Sequence, residues 1–163
     1  MSRKLLVIGA HSADFVWRAG GAIAVTTGGG GSAHVLALSY GERGESGELW
    51  KEPGQTVERA RALAAGAGVP SAFETVQPPE LLLFETHQPE LCNFVPTTFV
   101  DITPVIEQKQ AAMGEMKAQA YLQTYYAQRA EQRANHARRS SGDAAIRYAE
   151  AFQRVTPQVV SAL

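Results

Sequence analysis

Hydrophobic positions near the start of the chain follow two periods, and together they predict a strand, a helix and a second strand. An uninterrupted apolar run predicts a buried parallel strand over 4–9. Apolar residues then recur at helical spacing over 14–27, and the glycines at 28–31 end this predicted helix. A further apolar run predicts a strand at 34–38. This order favours a right-handed crossover in a parallel sheet.

The pattern after residue 40 is less regular. The remaining predicted elements are a helix at 56–66, extended segments at 71–76, 81–87 and 94–102, and helices at 103–132 and 143–152. Thr103 and Pro104 suit the N-cap and first position of the long helix. The predicted class is α/β with a helical C-terminal part, although only two parallel strands are clear.

The composition predicts one soluble globular domain. The chain has 163 residues, of which 45% are hydrophobic and 19% charged. Fifteen basic and sixteen acidic residues balance closely, so we expect no nucleic-acid partner. The single cysteine excludes an internal disulfide, and no apolar run is long enough to span a membrane. We therefore expect a cytoplasmic protein that binds no membrane.

His11 and Asp14 follow the first predicted strand, at the sheet edge where ligands of open α/β folds bind. An imidazole and a carboxylate suit zinc, although other divalent metals accept the same donors. A catalytic zinc site needs three protein ligands, and the sequence indicates only these two. The alternative is that Asp14 caps the following helix while His11 packs in the turn.

A loop rich in Gly and Glu follows the second predicted strand. Its glutamates Glu42, Glu45 and Glu48 are candidates for a general acid or base, or are solvated surface residues. Arg43 in this loop and Arg18 on the first helix are candidates for binding substrate carboxylates, with a surface ion pair as the alternative.

His87 ends another apolar run and is a candidate acid–base residue, with a packed or surface histidine as the alternative. The last third of the chain is rich in arginine, which indicates a solvated helix face or an anion-binding surface. These arginines are Arg129, Arg133, Arg138, Arg139, Arg147 and Arg154.

The segment AHSADF after the first strand resembles the AHPDDE motif of the PIG-L/LmbE-like superfamily, whose members are zinc-dependent N-deacetylases with a Rossmann-like fold. The resemblance implies a three-layer fold with a mostly parallel sheet, and zinc bound by His11 and Asp14. Ala13 stands where that motif has its catalytic aspartate, and Phe15 stands where it has glutamate. The loss of the base argues against hydrolysis by the usual route of the superfamily.

The longer segments AHSADFVWRAGGAIA and ALSYGERGESGELWKEPGQTVE resemble the hydratase branch of this superfamily. That branch contains the 4-oxalomesaconate (4-carboxy-2-hydroxymuconate) hydratases of gallate and protocatechuate degradation. The later segments ETHQPELCNFVPTTFVDIT and RYAEAF fit the same family. The resemblance implies that Glu48 and His87 are the acid–base residues and that the substrate is a small unsaturated tricarboxylate.

The superfamily's second motif, a His-Pro-x-His-like segment that supplies the third zinc ligand, has no counterpart in this chain. We therefore predict a single domain over 1–163 with an internal gap near 55–61, where about 70–80 residues are absent relative to the family.

The leading hypothesis is a zinc-dependent hydratase. The alternatives are a zinc N-deacetylase in which Glu48 replaces the aspartate base, and a non-catalytic module with an incomplete metal site. We expect a homo-oligomer, for which the helix at 103–132 is a candidate interface, although its tyrosines suit a core face equally well.

Overall fold

The fold is described from a computed structural model. The residues it describes are 2–11, 13–38, 60, 62, 64, 65, 72, 74, 76, 77, 79–155 and 157–160.

The N-terminal part forms a strand–helix–strand unit. Its elements are β1 (Lys4–Gly9), α1 (Asp14–Gly28) and β2 (Ser32–Ala37). The two strands pair in parallel over their full length, with Lys4 opposite Ser32 and Gly9 opposite Ala37. Helix α1 packs against both strands, so the parallel strand–helix–strand unit predicted from the hydrophobic pattern is confirmed.

The rest of the described chain forms a second sheet and two further helices. Its elements are β3 (Leu82–Phe84), β4 (Thr98–Asp101), α2 (Ile106–Gly114), α3 (Tyr121–Ser141) and β5 (Ala149–Arg154). Short 3₁₀ turns lie at Pro89–Cys92, Thr103–Val105 and Lys117–Gln119. The strand order is β3-β5-β4, and β5 pairs antiparallel with both neighbours.

The α/β class is confirmed, whereas the mostly parallel, Rossmann-like sheet is not. Three of the five strands in the described ranges form the antiparallel sheet. None of the helices in the described part is long and apolar enough to cross a membrane.

The single long helix predicted for the C-terminal part is confirmed only in part, and the last predicted helix is wrong. The helix predicted at 103–132 is two helices, because α2 stops at Gly114 and α3 runs on to Ser141. There Gly142 adopts a left-handed conformation (φ 75°) and donates to the Arg138 carbonyl at 2.8 Å. The helix predicted at 143–152 is wrong, since residues 143–148 form neither helix nor strand and strand β5 begins at Ala149.

The hydrophobic core has two clusters. The first joins α1, α2 and α3 and comprises Val16, Trp17, Met113, Leu122 and Tyr126. The second joins the end of α3 to β5 and comprises Ala134, Ala137, Ile146 and Ala149, with Phe99 packed against it. Helix α1 contacts strands of both sheets, so its position depends on both parts of the fold.

A buried ion pair fixes α1 against α2 and β5. Lys109 Nζ lies 2.6 Å from Glu150 Oε1, and both side chains are almost fully buried. Glu150 accepts from the amides of Gly21 and Ala22 at 2.8 Å each, while Lys109 donates to the Trp17 carbonyl at 3.0 Å. A regular helix pairs the amide of residue 21 with this same carbonyl, so the ion pair contacts backbone groups inside α1. Buried charges are tolerated only when paired and hydrogen-bonded in this way.

Candidate active site

The turn between β1 and α1 brings His11 and Asp14 into contact. The His11 amide donates to Asp14 Oδ2 at 2.9 Å, and His11 Nδ1 lies 3.5 Å from the same oxygen. A Cβ at Gly9 would lie 3.1 Å from the Asp14 Cβ, so glycine lets the strand end approach the helix closely. Asp14 makes no capping bond to α1; it is the helix's first residue and faces back toward the turn.

The spacing of these two side chains fits a shared metal ion. Two ligands of a tetrahedral zinc lie about 3.4 Å apart, given zinc–ligand distances of about 2.1 Å. The Nδ1–Oδ2 separation of 3.5 Å is close to that value. Within the described ranges, no group of three His, Cys, Asp or Glu side chains is arranged to hold a metal. His11 and Asp14 therefore fit as two ligands, and a catalytic site requires a third.

Arg18 lies one helical turn after Asp14 and connects it to α3. Its Nη1 lies 3.1 Å from Asp14 Oδ1, and its Nε donates to the Tyr126 hydroxyl at 3.2 Å. The guanidinium also lies over the Phe84 ring, 5.6 Å from the centroid. Arg18 is thus contacted by Asp14, Tyr126 and Phe84, and its ion pair is to a buried carboxylate rather than on the surface.

His87 lies three residues after β3 and packs on two tyrosines of α3. Its ring centroid is 4.5 Å from that of Tyr125 and 6.1 Å from that of Tyr126. The Tyr125 hydroxyl donates to the His87 carbonyl at 2.6 Å. His87 itself is exposed, so it is both packed and open to solvent.

Tyr126 links the two halves of the site, since it contacts both His87 and Arg18. It is buried and stacks on Trp17 with centroids 5.6 Å apart. Burial raises the pKa of Tyr126, and the hydrogen bond and positive charge of Arg18 offset part of that rise. Four residues singled out in the sequence (His11, Asp14, Arg18 and His87) are thereby joined in one connected group.

The remaining predicted residues lie outside the described ranges. These are the proposed acid–base residue Glu48, the proposed substrate-binding residue Arg43, and the neighbouring Glu42 and Glu45.

The arginine-rich part of α3 holds groups that the sequence did not assign to the site. Arg133 is buried and binds Glu85 through both carboxylate oxygens, whereas Arg139 is exposed. Arg129 is intermediate in exposure between these two arginines, and it donates to the Tyr125 hydroxyl at 2.7 Å. The solvated helix face considered for this region therefore holds for Arg139 and fails for Arg133.

A small cavity of about 20 Å³ is lined in part by Arg129 and Arg133. Its charged walls come from Arg18, Arg129, Arg133, Lys109, Glu85 and Glu150. This volume holds about one water molecule and not a whole tricarboxylate.

No protein-family model matches the chain. It is 33% identical to the 4-oxalmesaconate hydratase of Pseudomonas putida KT2440, over 99% of this chain and 92% of that protein. The match extends over 238 aligned positions, more than the 163 residues of this chain, so the relative has residues without a counterpart here. The location of that gap near 55–61 stays a prediction.

Two solved structures share the fold. The conserved protein TT1542 from Thermus thermophilus has a TM-score of 0.67 and 21% identity over 96% of both chains, and it shows the fold alone. The crystal structure of GalB, the 4-carboxy-2-hydroxymuconate hydratase of Pseudomonas putida KT2440, has a TM-score of 0.87 and 31% identity over 99% of both chains. The protein is therefore an α/β protein with the fold of a bacterial hydratase. It belongs to the 4-oxalmesaconate hydratase family.

Proposed function

We propose that this protein is a hydro-lyase that adds water to the double bond of 4-oxalomesaconate (4-carboxy-2-hydroxymuconate). The product is 4-carboxy-4-hydroxy-2-oxoadipate, and the reaction belongs to the 4,5-cleavage catabolism of gallate and protocatechuate. The observation that carries the proposal is the 33% identity to a 4-oxalmesaconate hydratase over 99% of the chain. The connected group formed by His11, Asp14, Arg18 and His87 supports it.

Glu48 and His87 divide the proton transfers of this reaction. One residue takes a proton from water as the water oxygen bonds to one carbon of the double bond, and the other donates a proton to the neighbouring carbon. The reaction consumes only water and needs no oxidant or reductant. The exposure of His87 and its packing on Tyr125 suit an acid–base group that is accessible to substrate and fixed in orientation.

His11 and Asp14 hold a zinc ion together with a third ligand, and other divalent metals suit the same two donors. When bound, the metal supplies a Lewis acid that stabilises negative charge on the substrate's oxygen atoms. The contact between Arg18 and Asp14 Oδ1 fixes the orientation of the Asp14 carboxylate, so that Oδ2, the oxygen beside His11, is the one available to the metal.

Arg18 and Arg43 bind carboxylate groups of the substrate. A guanidinium has five N–H donors, and Arg18 uses one for Asp14 and one for Tyr126. The donors that remain are suited to a carboxylate oxygen, and the two existing contacts fix their direction. A cytoplasmic homo-oligomer remains part of the proposal.

The decisive experiment measures turnover of 4-carboxy-2-hydroxymuconate by Glu48→Gln and His87→Gln variants. Each variant is expected to lose about 100- to 10,000-fold in kcat, the usual contribution of a positioned acid or base. His34→Gln is the matched control, since His34 is an exposed histidine on β2. It should remain within about threefold of the unmodified protein.

Circular dichroism should show an intact fold in all three variants. Turnover close to normal in either active-site variant contradicts that residue's role. Release of acetate from acetylated amino sugars, with no hydration of the tricarboxylate, supports the deacetylase alternative instead.

A further inference from the structure

Glu85 and two arginines of α3 form a group with one more positive than negative charge. Arg133 donates from Nε to Glu85 Oε2 at 2.8 Å and from Nη2 to Glu85 Oε1, so it binds the carboxylate through both oxygens. Arg129 is more distant, with its Nη1 3.5 Å from Glu85 Oε1. Since Arg133 already neutralises Glu85, the charge of Arg129 is the one left without a full partner.

The other carboxylates nearby do not remove this excess. Glu150 is paired with Lys109, and Asp14 is paired with Arg18. Glu90 also favours the charged form of Arg129, but it is exposed to solvent, where its charge is screened.

The remaining contacts of Arg129 are to neutral groups. Its Nη2 donates to the Tyr125 hydroxyl at 2.7 Å and its Nη1 to Gln132 Oε1 at 3.1 Å, while the guanidinium lies 5.2 Å from the Tyr125 ring centroid. Burial acts to lower the pKa of Arg129, but the Tyr125 hydrogen bond and the charge of Glu85 outweigh it, so the net shift is upward. Arg129 therefore stays charged at any pH at which the protein functions.

Tyr125 joins this guanidinium to His87. The same hydroxyl that accepts from Arg129 donates to the His87 carbonyl, and the His87 ring packs on the Tyr125 ring. Arg129 also lines the small cavity that Arg18 lines. The side chain of Arg129 is 18% exposed, twice the value for Arg133, so it is the more accessible of the two.

We propose that Arg129 is a further substrate-binding residue, which takes one carboxylate group of a polycarboxylate bound next to His87. This inference rests on the proposed function for the identity of the substrate. The partly buried setting of the Arg129 guanidinium strengthens a charged hydrogen bond to such a carboxylate.

The first test compares steady-state kinetics of Arg129→Gln and Arg129→Lys with 4-carboxy-2-hydroxymuconate. Arg129→Gln should raise KM about 10- to 100-fold, the range for loss of one charged hydrogen bond, and change kcat less than about threefold. Arg129→Lys should recover part of the loss, because it keeps the charge and loses the planar fork. Arg139→Gln, an exposed arginine on the same helix, is the control and should leave KM unchanged.

A second variant tests the charge without touching Arg129. Gln132 is exposed, and Gln132→Glu places a carboxylate beside the Arg129 guanidinium, where it competes with the substrate. It should raise KM like Arg129→Gln, whereas Gln110→Glu, an exposed position on α2, adds the same net charge and should not. A fall in kcat with KM unchanged in either Arg129→Gln or Gln132→Glu overturns the proposal, since it assigns Arg129 to the positioning of His87.

Binding of tricarballylate, a saturated tricarboxylate, separates this inference from the proposed function. Calorimetry on the unmodified protein and on Arg129→Gln needs no turnover. Weaker binding by the variant supports Arg129 as a carboxylate ligand even if no hydration occurs. Equal binding by both proteins overturns the inference and leaves the hydratase proposal intact, and no binding or turnover by the unmodified protein overturns both.

Discussion

Tyr126 shows how a single side chain can join candidate residues that are far apart in the sequence. It accepts a hydrogen bond from Arg18, 108 positions earlier, and its ring contacts His87 and Trp17. Arg18 also binds Asp14, so Tyr126 is connected to this proposed metal ligand through a single residue. At the scale of residues, a substitution of Tyr126 is therefore the most direct test of the electrostatic interactions in the site.

The raised pKa of Tyr126 predicts a loss of stability at alkaline pH. The unfolded chain releases this proton near its ordinary pKa of about 10, while the folded protein retains it to higher pH. The contribution of Tyr126 is therefore fully present below pH of about 10 and is lost as pH rises from there toward the folded-state pKa. Urea unfolding at pH 9 and pH 11 should show a smaller drop in stability for Tyr126→Phe than for the unmodified protein.

Tyr121→Phe is the control for this comparison, because Tyr121 lies on the same helix and is 73% exposed. It should follow the unmodified protein. Identical pH dependence of the unmodified protein and Tyr126→Phe would show that Tyr126 makes no such contribution.

At the scale of elements, the position of α1 depends on close contact with the loop after β4. A Cβ at Gly21 would lie 2.5 Å from Ile102 Cγ2 and 3.0 Å from Glu150 Oε1, and Ile102 is fully buried. Gly21→Ala should therefore destabilise the protein by about 1–3 kcal/mol, the usual cost of overpacking a core.

The neighbouring glycine is the matched control for this substitution. A Cβ at Gly20 meets atoms only at 3.7 Å or beyond, so Gly20→Ala should stabilise the helix by up to about 1 kcal/mol. Urea unfolding of both variants measures the difference. Equal stabilisation by both substitutions would contradict the close packing of α1 on Ile102.

The buried Lys109–Glu150 pair predicts strongly coupled substitutions. Lys109→Met alone leaves an unpaired buried carboxylate and should cost about 3–5 kcal/mol of unfolding free energy. Adding Glu150→Gln removes that charge, so the double variant should be more stable than Lys109→Met. A double-mutant cycle in urea at pH 7 measures the coupling, and additive effects of the two substitutions would contradict it.

Helices and strands that are marked by a local hydrophobic pattern could be predicted from the sequence. Those that are stabilised by residues distant in the sequence could not. The strands and helix over 4–38 follow from uninterrupted apolar runs, helical spacing and terminal glycines. Strand β5 could not be predicted, because Glu150 interrupts the apolar run. Its buried carboxylate is compensated by Lys109 and by the amides of Gly21 and Ala22, which are all distant in sequence. Pairing with two neighbouring strands then overrides the local preference of an Ala-rich segment for helix.

The same distinction applies to the candidate site. His11 and Asp14 lie three positions apart in a strand–helix turn, so their proximity could be inferred from spacing. The contact of Arg129 with His87 through Tyr125 depends on how α3 packs against the segment after β3. The arginine-rich composition of α3 was the one available signal, and it did not distinguish the buried Arg133 from the exposed Arg139.

At the scale of the whole molecule, the amount of bound metal shows whether the folded protein contains a complete metal site. His11 Nδ1 and Asp14 Oδ2 lie 3.5 Å apart, a separation compatible with two ligands of one metal ion, while the residues that the structure describes contain no group of three potential ligands. The hydratase proposal requires a third ligand, from the rest of the chain or from a second copy in an oligomer. A competent site should bind about one zinc per chain after reconstitution, measured by mass spectrometry of the metal, together with the mass of the assembly in solution.

His11→Ala and Asp14→Asn should each lower the bound zinc at least tenfold, since loss of one ligand from a three-ligand site removes much of its affinity. His34→Ala, at an exposed histidine of β2, should bind zinc like the unmodified protein. Binding of less than about a tenth of an equivalent by the unmodified protein would contradict the metal proposal and favour a non-catalytic module. Equal zinc content in all four proteins would place the metal away from His11 and Asp14. Because the readout is metal rather than turnover, it tests the ligands independently of Glu48 and His87.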